Sequence, residues 1–229
     1  MRHVVPALFV LATLFHSGMP AWAQQRVALR SDATSFAASI PEANRIAFRV
    51  MRDEVDIGSH ELTFRRDGER LDVDIAIDLK VTFLGVALYR YSHRARETWQ
   101  DGKLMALAAA TDDNGTPYKI VGRAIADGFT LSMGGKETVF PADAFPSSHW
   151  NRAWLQGRPL INTQKGEKIA YTIAPRGEES VATASGPVTA ERFAVTGDLR
   201  KDIWFDAAGR WVKTRFDAPD GSSIFYVLQ

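Results

Sequence analysis

The chain has no cysteine. That excludes disulfide staples and thiolate nucleophiles, and leaves no cysteine to carry a lipid anchor. It has only one long apolar run, Val4 to Phe15, and that run is shorter than the ~20 residues a membrane-spanning helix requires. Charge of one sign is also missing: 28 basic residues face 27 acidic ones. A balance of that kind creates no overall field to draw nucleic acid or an anionic membrane surface. Nucleophile elbows (G-x-S-x-G) and S-x-x-K pairs are absent, and Gly134-Gly135-Lys136 is a lone glycine pair in a hairpin rather than a phosphate cradle. These absences argue against most familiar hydrolases and nucleotide enzymes and leave other chemistries open.

The amino terminus holds a secretory pattern. Arg2 precedes the apolar run, and Ala21-Trp22-Ala23 forms an A-x-A cleavage site before Gln24. Residues 1–23 are expected to be a signal peptide, which places the mature chain in a periplasm or outside the cell. Cleavage leaves 206 residues, enough for one well-buried core. Residues 24–44, polar and small, are expected to form a loosely held arm before a single β-rich domain at 45–229.

From Arg45 onward the chain reads as strands. Leu71, Val73, Ile75, Ile77, Leu79, Val81 and Phe83 alternate with Asp72, Asp74, Ala76, Asp78, Lys80 and Thr82. This is one strand about 43 Å long at ~3.3 Å per residue, apolar on one face only. Similar runs are separated by Asp67-Gly68, Asp101-Gly102, Asn114-Gly115, Asp127-Gly128 and Asp220-Gly221, dipeptides suited to the positive φ of hairpin turns. The expected strands are 46–52, 57–66, 70–83, 86–99, 103–111, 118–126, 129–133, 167–174, 179–185, 188–197, 200–206, 210–217 and 223–228. Tight turns make consecutive strands antiparallel, so the expected fold is all-β: one curved meander sheet, or half-barrel. Helical periodicity is confined to one place. Pro146-Ser147-Ser148 supplies a start and Gly157 a stop, with Trp150, Ala153 and Trp154 on one face. A short tryptophan-bearing helix is expected there, at the mouth of the curved sheet.

Four groups of residues together resemble a family of secreted proteobacterial proteins known only as a domain of unknown function. They are Ile57-Gly58-Ser59-His60; His93 to Trp99 followed by Asp101-Gly102-Lys103-Leu104; Thr111-Asp112-Asp113-Asn114-Gly115; and Trp204-Phe205-Asp206-Ala207-Ala208-Gly209-Arg210-Trp211-Val212-Lys213. The resemblance spans roughly residues 45–228. The chain is more distantly similar to a second uncharacterised periplasmic family that shares the tryptophan-aromatic-aspartate hairpin. The resemblance implies a half-barrel like that of periplasmic lipoprotein carriers, and it brings no catalytic residues. Phe205 stands where tyrosine is more usual, which removes a hydroxyl from that position.

Candidate sites have competing readings. His60, His93 and His149 are the histidines beyond residue 23. His93 and Glu97 share a strand face with Trp99 but lie about 13 Å apart along it, so they cannot chelate one ion alone. No metal site and no cofactor is expected; the histidines then have hydrogen-bonded structural roles. Asp72, Asp74 and Asp78 read as a solvated outer face. Glu97, on a partly apolar face, is either ion-paired or hydrogen-bonded across strands, or an acid–base group working with His93 or His60. Trp150 and Trp154 are either a core plug or a lid over a cavity lined by Leu71, Val73, Ile75, Ile77 and Leu79.

Three functional classes follow. The first is a binding module for an apolar or lipid-like ligand, with His60, His93, Glu97 and Trp99 as polar candidates. The second is an envelope protein whose strand edges or hairpin tips contact another protein. The third is an enzyme using Glu97 with a histidine.

Overall fold

A computed structural model describes residues 39–229. The signal peptide expected at 1–23, and most of the arm expected at 24–44, lie outside the described residues. The first meander comprises β1 (Arg45–Arg52), β2 (Val55–Asp67), β3 (Arg70–Phe83), β4 (Val86–Gln100), β5 (Lys103–Asp113), β6 (Thr116–Ile125), β7 (Gly128–Met133) and β8 (Lys136–Phe140). A cover segment, residues 141–170, contains three two-residue strands: β9 (Phe145–Pro146), β10 (Leu160–Ile161) and β11 (Lys168–Ile169). The second meander is β12 (Tyr171–Thr183), β13 (Gly186–Gly197), β14 (Lys201–Asp206), β15 (Trp211–Asp217) and β16 (Ser223–Leu228).

Both meanders belong to one 13-stranded sheet in the order β12-β13-β14-β15-β16-β1-β2-β3-β4-β5-β6-β7-β8. The weld between them is β1 against β16, with Phe48 opposite Leu228 and Val50 opposite Tyr226. Among the described residues β12 and β8 are the edges, and no hydrogen bonding between them closes the barrel. Asp101-Gly102 and Asn114-Gly115 turn with both residues at positive φ, as their composition predicts. Bulges at Val50/Met51, Val81/Thr82, Thr98/Trp99, Pro175/Glu178 and Trp204/Phe205 add twist and help the sheet curl. The bulge at Pro175 lets 171–183 run as one strand where the sequence predicts two. β8 has no strong alternation and is not anticipated by the sequence.

Period-2 patterning decides which side faces the core. Leu71, Val73, Ile75 and Ile77 of β3 are buried, while the aspartates between them face out and pair with arginine. Arg70 meets Asp72, Arg65 and Arg96 both meet Asp74, and Arg94 meets Asp78. Such exposed pairs are worth roughly 0–1 kcal/mol each. The three aspartates therefore form a solvated ladder, consistent with their outward period.

The surplus apolar face is hidden by the cover segment. Trp150, Trp154, Phe145, Leu160 and Ile161 share a single core cluster with Leu71, Val73, Leu107, Leu131, Ile203 and Phe205. Trp150 meets Trp99 edge-on at 5.6 Å and Phe64 at 5.3 Å. The helix expected from Pro146 to Gly157 is not present. A five-residue 3-10 turn, Arg152–Gln156, takes its place, capped by the Asn151 side chain and stopped by Gly157 at φ 80°. Trp150 precedes the turn, and His149 before it adopts φ 66°, a left-handed conformation no helix can contain. Burial of the two indoles overrides the weak helical signal.

The Trp204-to-Lys213 motif is a structural hairpin. Trp204 and Val212 pack with Val181 and Ala190 in a second small core, while Phe205 and Trp211 face the main one. The Trp204 indole donates to Glu179 at 2.6 Å, and Lys213 lies 4.5 Å above its ring. Asp206 accepts from the backbone N–H groups of Ala208 and Arg210 and pairs with the Arg210 side chain. Phe205 is fully buried, beside the Phe193 ring and under the Arg152 guanidinium.

Gly58 marks a close crossing of β2 and β3. It has φ 140°, and a Cβ there would overlap the carbonyl oxygen of Asp78. A Gly58→Ala variant is expected to lose about 2–3 kcal/mol in urea unfolding. A loss below about 0.5 kcal/mol would show that the crossing relaxes freely.

Candidate functional site

The sheet register brings His60 and His93 onto one row. Phe48 of β1 faces His60 of β2, His60 faces Ile77 of β3, Ile77 faces His93 of β4, and His93 faces Thr111 of β5. All five alternate inward because their neighbours two residues away are core residues. From the opposite side the cover segment brings Ser148 and His149, while Lys201 begins β14. His60, Ile77 and His93 of this row, with Ser148, His149, Lys201 and the neighbouring Ile75, Gln164, Trp211 and Tyr226, line a partly enclosed cavity of about 70 Å³. One water needs ~10–15 Å³ of such space, so the cavity holds a few waters or a small polar group.

The histidines differ in their partners. His93 Nδ1 hydrogen-bonds Thr111 at 2.8 Å. His149 Nε2 lies 2.7 Å from Lys201 Nζ; when Lys201 is an ammonium it can only donate, so this nitrogen then accepts and the proton of a neutral ring sits on Nδ1. That Nδ1, and both nitrogens of His60, find no partner among the described residues. The His60 ring is instead held by Trp211 at 5.3 Å and Tyr226 at 5.6 Å.

Burial sets the protonation states. It pulls His60 down to about 3, helped by the nearby His93 and Lys201. It pulls His93 down to about 4, with Arg94 adding to the effect. His149 falls well below its ordinary value through burial, Lys201 and His60. The Lys201 ammonium, desolvated, drops to about 7, and Tyr226 rises to about 12. At neutral pH the cavity therefore offers three neutral imidazoles and a half-protonated amine. Among the described residues, no carboxylate lines it. Nor does any group of three or more His, Asp or Glu among them have the geometry to hold a metal ion.

Glu97 belongs to a different place. It lies two rows from His93, opposite Val73 and Leu107, and is fully buried. Its Oε2 accepts from the indoles of Trp99 and Trp150, each at 3.0 Å. Burial raises its pKa, while the Trp150 indole, the nearby Ser148 hydroxyl and the Trp99 indole oppose the rise. The carboxyl ties the cover segment to the sheet. The fold does not bring it together with His93 or His60, so the acid–base pairing anticipated from sequence is not assembled.

The predicted apolar lining divides. Leu71 and Val73 are buried against the Trp99–Trp150–Phe64 cluster, and Trp154 is equally enclosed. These residues share one core cluster with Phe145, Leu160 and Ile161 of the cover segment. Ile75 and Ile77 do line the cavity. Leu79 is half-buried at its far end, beside a surface groove. Lys201 was missed by sequence reasoning, although its period-2 relation to inward Ile203 and Phe205 was a usable signal. The position of His149 depends on the path of the cover segment, which has no local signature.

The model of a family described as a domain of unknown function (DUF6134) matches residues 48–229. No curated protein matches the chain. Among solved structures, the chain is similar to a β-barrel-like protein of domain of unknown function DUF1849 from Brucella abortus. The two share 9% identity and a TM-score of 0.57, over 81% of this chain and 95% of that one. Likeness at that identity concerns the fold alone.

Proposed function

The chain belongs to the DUF6134 family of unknown function, and we propose that it is a binding module acting outside the cytoplasm after loss of residues 1–23. Its ligand carries an anionic or hydrogen-bond-accepting head on an apolar body. The head occupies the cavity among His60, His149 and Lys201, and the body lies against Ile75, Ile77 and Trp211. Deeper apolar contacts, with Leu71, Val73, Trp150 and Trp154, become available to a lipid-like ligand when the cover segment lifts; Leu79, half-buried beside a surface groove, is reached from outside.

The observation that carries this reading is the pair of unpartnered nitrogens on His60. A buried polar group without a partner costs about 1–3 kcal/mol, and the cavity beside it supplies donors and an amine but no carboxylate. What the lining lacks is an anionic acceptor to complement Lys201 and the single N–H of the neutral His60 ring, since its Ser147, Ser148, Thr163, Gln164 and Thr214 side chains are uncharged. The left-handed His149 backbone adds strain of the kind found at binding sites.

The test uses acetate, hexanoate and inorganic phosphate, followed by the side-chain 15N resonances of the three histidines. His60 and His149 are expected to shift saturably, and hexanoate to bind more tightly than acetate. Because Lys201 titrates near 7, affinity should fall roughly 25-fold between pH 6.5 and pH 8.5. Lys201→Met should abolish both the binding and its pH dependence. Unmoved histidine resonances with all three probes would remove the reading.

A further inference from the structure

The β3–β4 hairpin outruns its neighbours. The last β2 partner of β3 is at Leu79, and the last β5 partner of β4 is at Tyr91. Residues 80–90 therefore form a two-stranded finger with no adjoining strand among the described residues. Phe83, Leu84, Val86 and Leu88 on it are 63, 89, 63 and 59% exposed.

Two further observations point to its use. Leu84 and Gly85 make the turn with φ 48° and 82°, a pair of positive values for which asparagine or aspartate followed by glycine is the usual choice. A leucine there strains the backbone and exposes its side chain, which folding alone does not reward. The finger also has a charged base of one sign: Lys80 faces Arg90 directly across the two strands. No acid lies between Leu79 and Arg90. Of the acids just below, Asp78 pairs with Arg94; Asp112 and Asp113 accept from the Gly115 N–H and the Tyr89 hydroxyl and keep their charge, but they stand opposite Ser92 and Tyr91, further from the tip than the Lys80/Arg90 pair. The balanced net charge of the chain conceals this local arrangement.

We infer that the 80–90 finger docks the protein onto an anionic lipid bilayer. The apolar tip extends about 13 Å beyond the Lys80/Arg90 pair at ~3.3 Å per residue. That suffices to cross the headgroup layer and place Phe83, Leu84 and Val86 at the ~5–10 Å depth typical of interfacial anchors. Lys80 and Arg90 then sit at the level of the phosphates, where each cation adds attraction. This inference does not depend on the cavity, which lies on the inward face.

The experiment is co-sedimentation of the processed protein with vesicles of phosphatidylglycerol and phosphatidylethanolamine, against vesicles of phosphatidylcholine alone. Preferential, salt-sensitive binding to the anionic vesicles is expected. Leu84→Asn combined with Phe83→Thr should weaken it by about ten-fold or more, with thermal stability unchanged or raised because asparagine suits the turn. Lys80→Glu with Arg90→Glu should remove the preference for anionic lipid. Equal binding by wild type and finger variants, or none by wild type, would overturn the inference. So would a finger-dependent dimer in sedimentation, which would make a second copy the occupant.

Discussion

Acidification from pH 7 to pH 4 is expected to unfold the protein in one cooperative step. His60 and His93 bind protons near pH 6.5 when unfolded but only near 3 and 4 when folded. Between those values the unfolded state holds more protons, so stability falls as pH falls. At pH 4 each of the two costs about 3 kcal/mol, and His149 adds in the same direction. The sum is comparable with the roughly 5–15 kcal/mol that holds a domain together. Glu97 works in the opposite sense, since its raised pKa stabilises the folded state at low pH and that contribution is lost as pH rises. One carboxyl does not offset three imidazoles. Tryptophan fluorescence against pH should show a transition near pH 4–5 with uptake of about three protons per molecule. His60→Phe, which keeps an aromatic ring between Phe48 and Trp211, should move the midpoint to lower pH. A native spectrum at pH 3.5 would show that the histidines are not held neutral by burial.

Replacing Glu97 with alanine should destabilise the protein by about 4 kcal/mol. The substitution removes the hydrogen bonds that Glu97 accepts from the Trp99 and Trp150 indoles, at roughly 1–3 kcal/mol each, and opens a small void. For a chain of this size the loss corresponds to a fall in melting temperature of about 10 °C. Glu97→Gln should cost only about 1 kcal/mol, because its amide oxygen can accept from both indoles as Oε2 does. The glutamine variant should also lose the stability decline that wild type shows as pH rises through the raised Glu97 pKa. Equal losses in both variants would mean that the charge, rather than the acceptor, holds the cover segment.

Much of the site follows from rules that act locally. The inward orientation of His60, His93, Glu97 and Trp99 is legible because a strand turns every second side chain to the same face. The partners of those residues are not legible. Glu97 and Trp150 are 53 positions apart in sequence, and nothing around either one encodes the meeting. The tryptophan pair at 150 and 154 resembles a helical face, yet indole packing against Trp99 and Phe64 yields only a 3-10 turn. The Trp204-to-Lys213 hairpin is the opposite case, since its Asp206 turn and Lys213–Trp204 contact are short-range.

The amino-acid sequence by itself determined that this is an all-β chain, which strand face is apolar, where several hairpins turn, and that Asp72, Asp74 and Asp78 face outward. All of these depend on residues a few positions apart. Only the tertiary structure decided that β1 joins β16, that residues 141–170 fill the apolar face, and that three histidines and Lys201 share one cavity. Those outcomes depend on register carried across several strands and on the volume of side chains far apart in sequence, which no local pattern records.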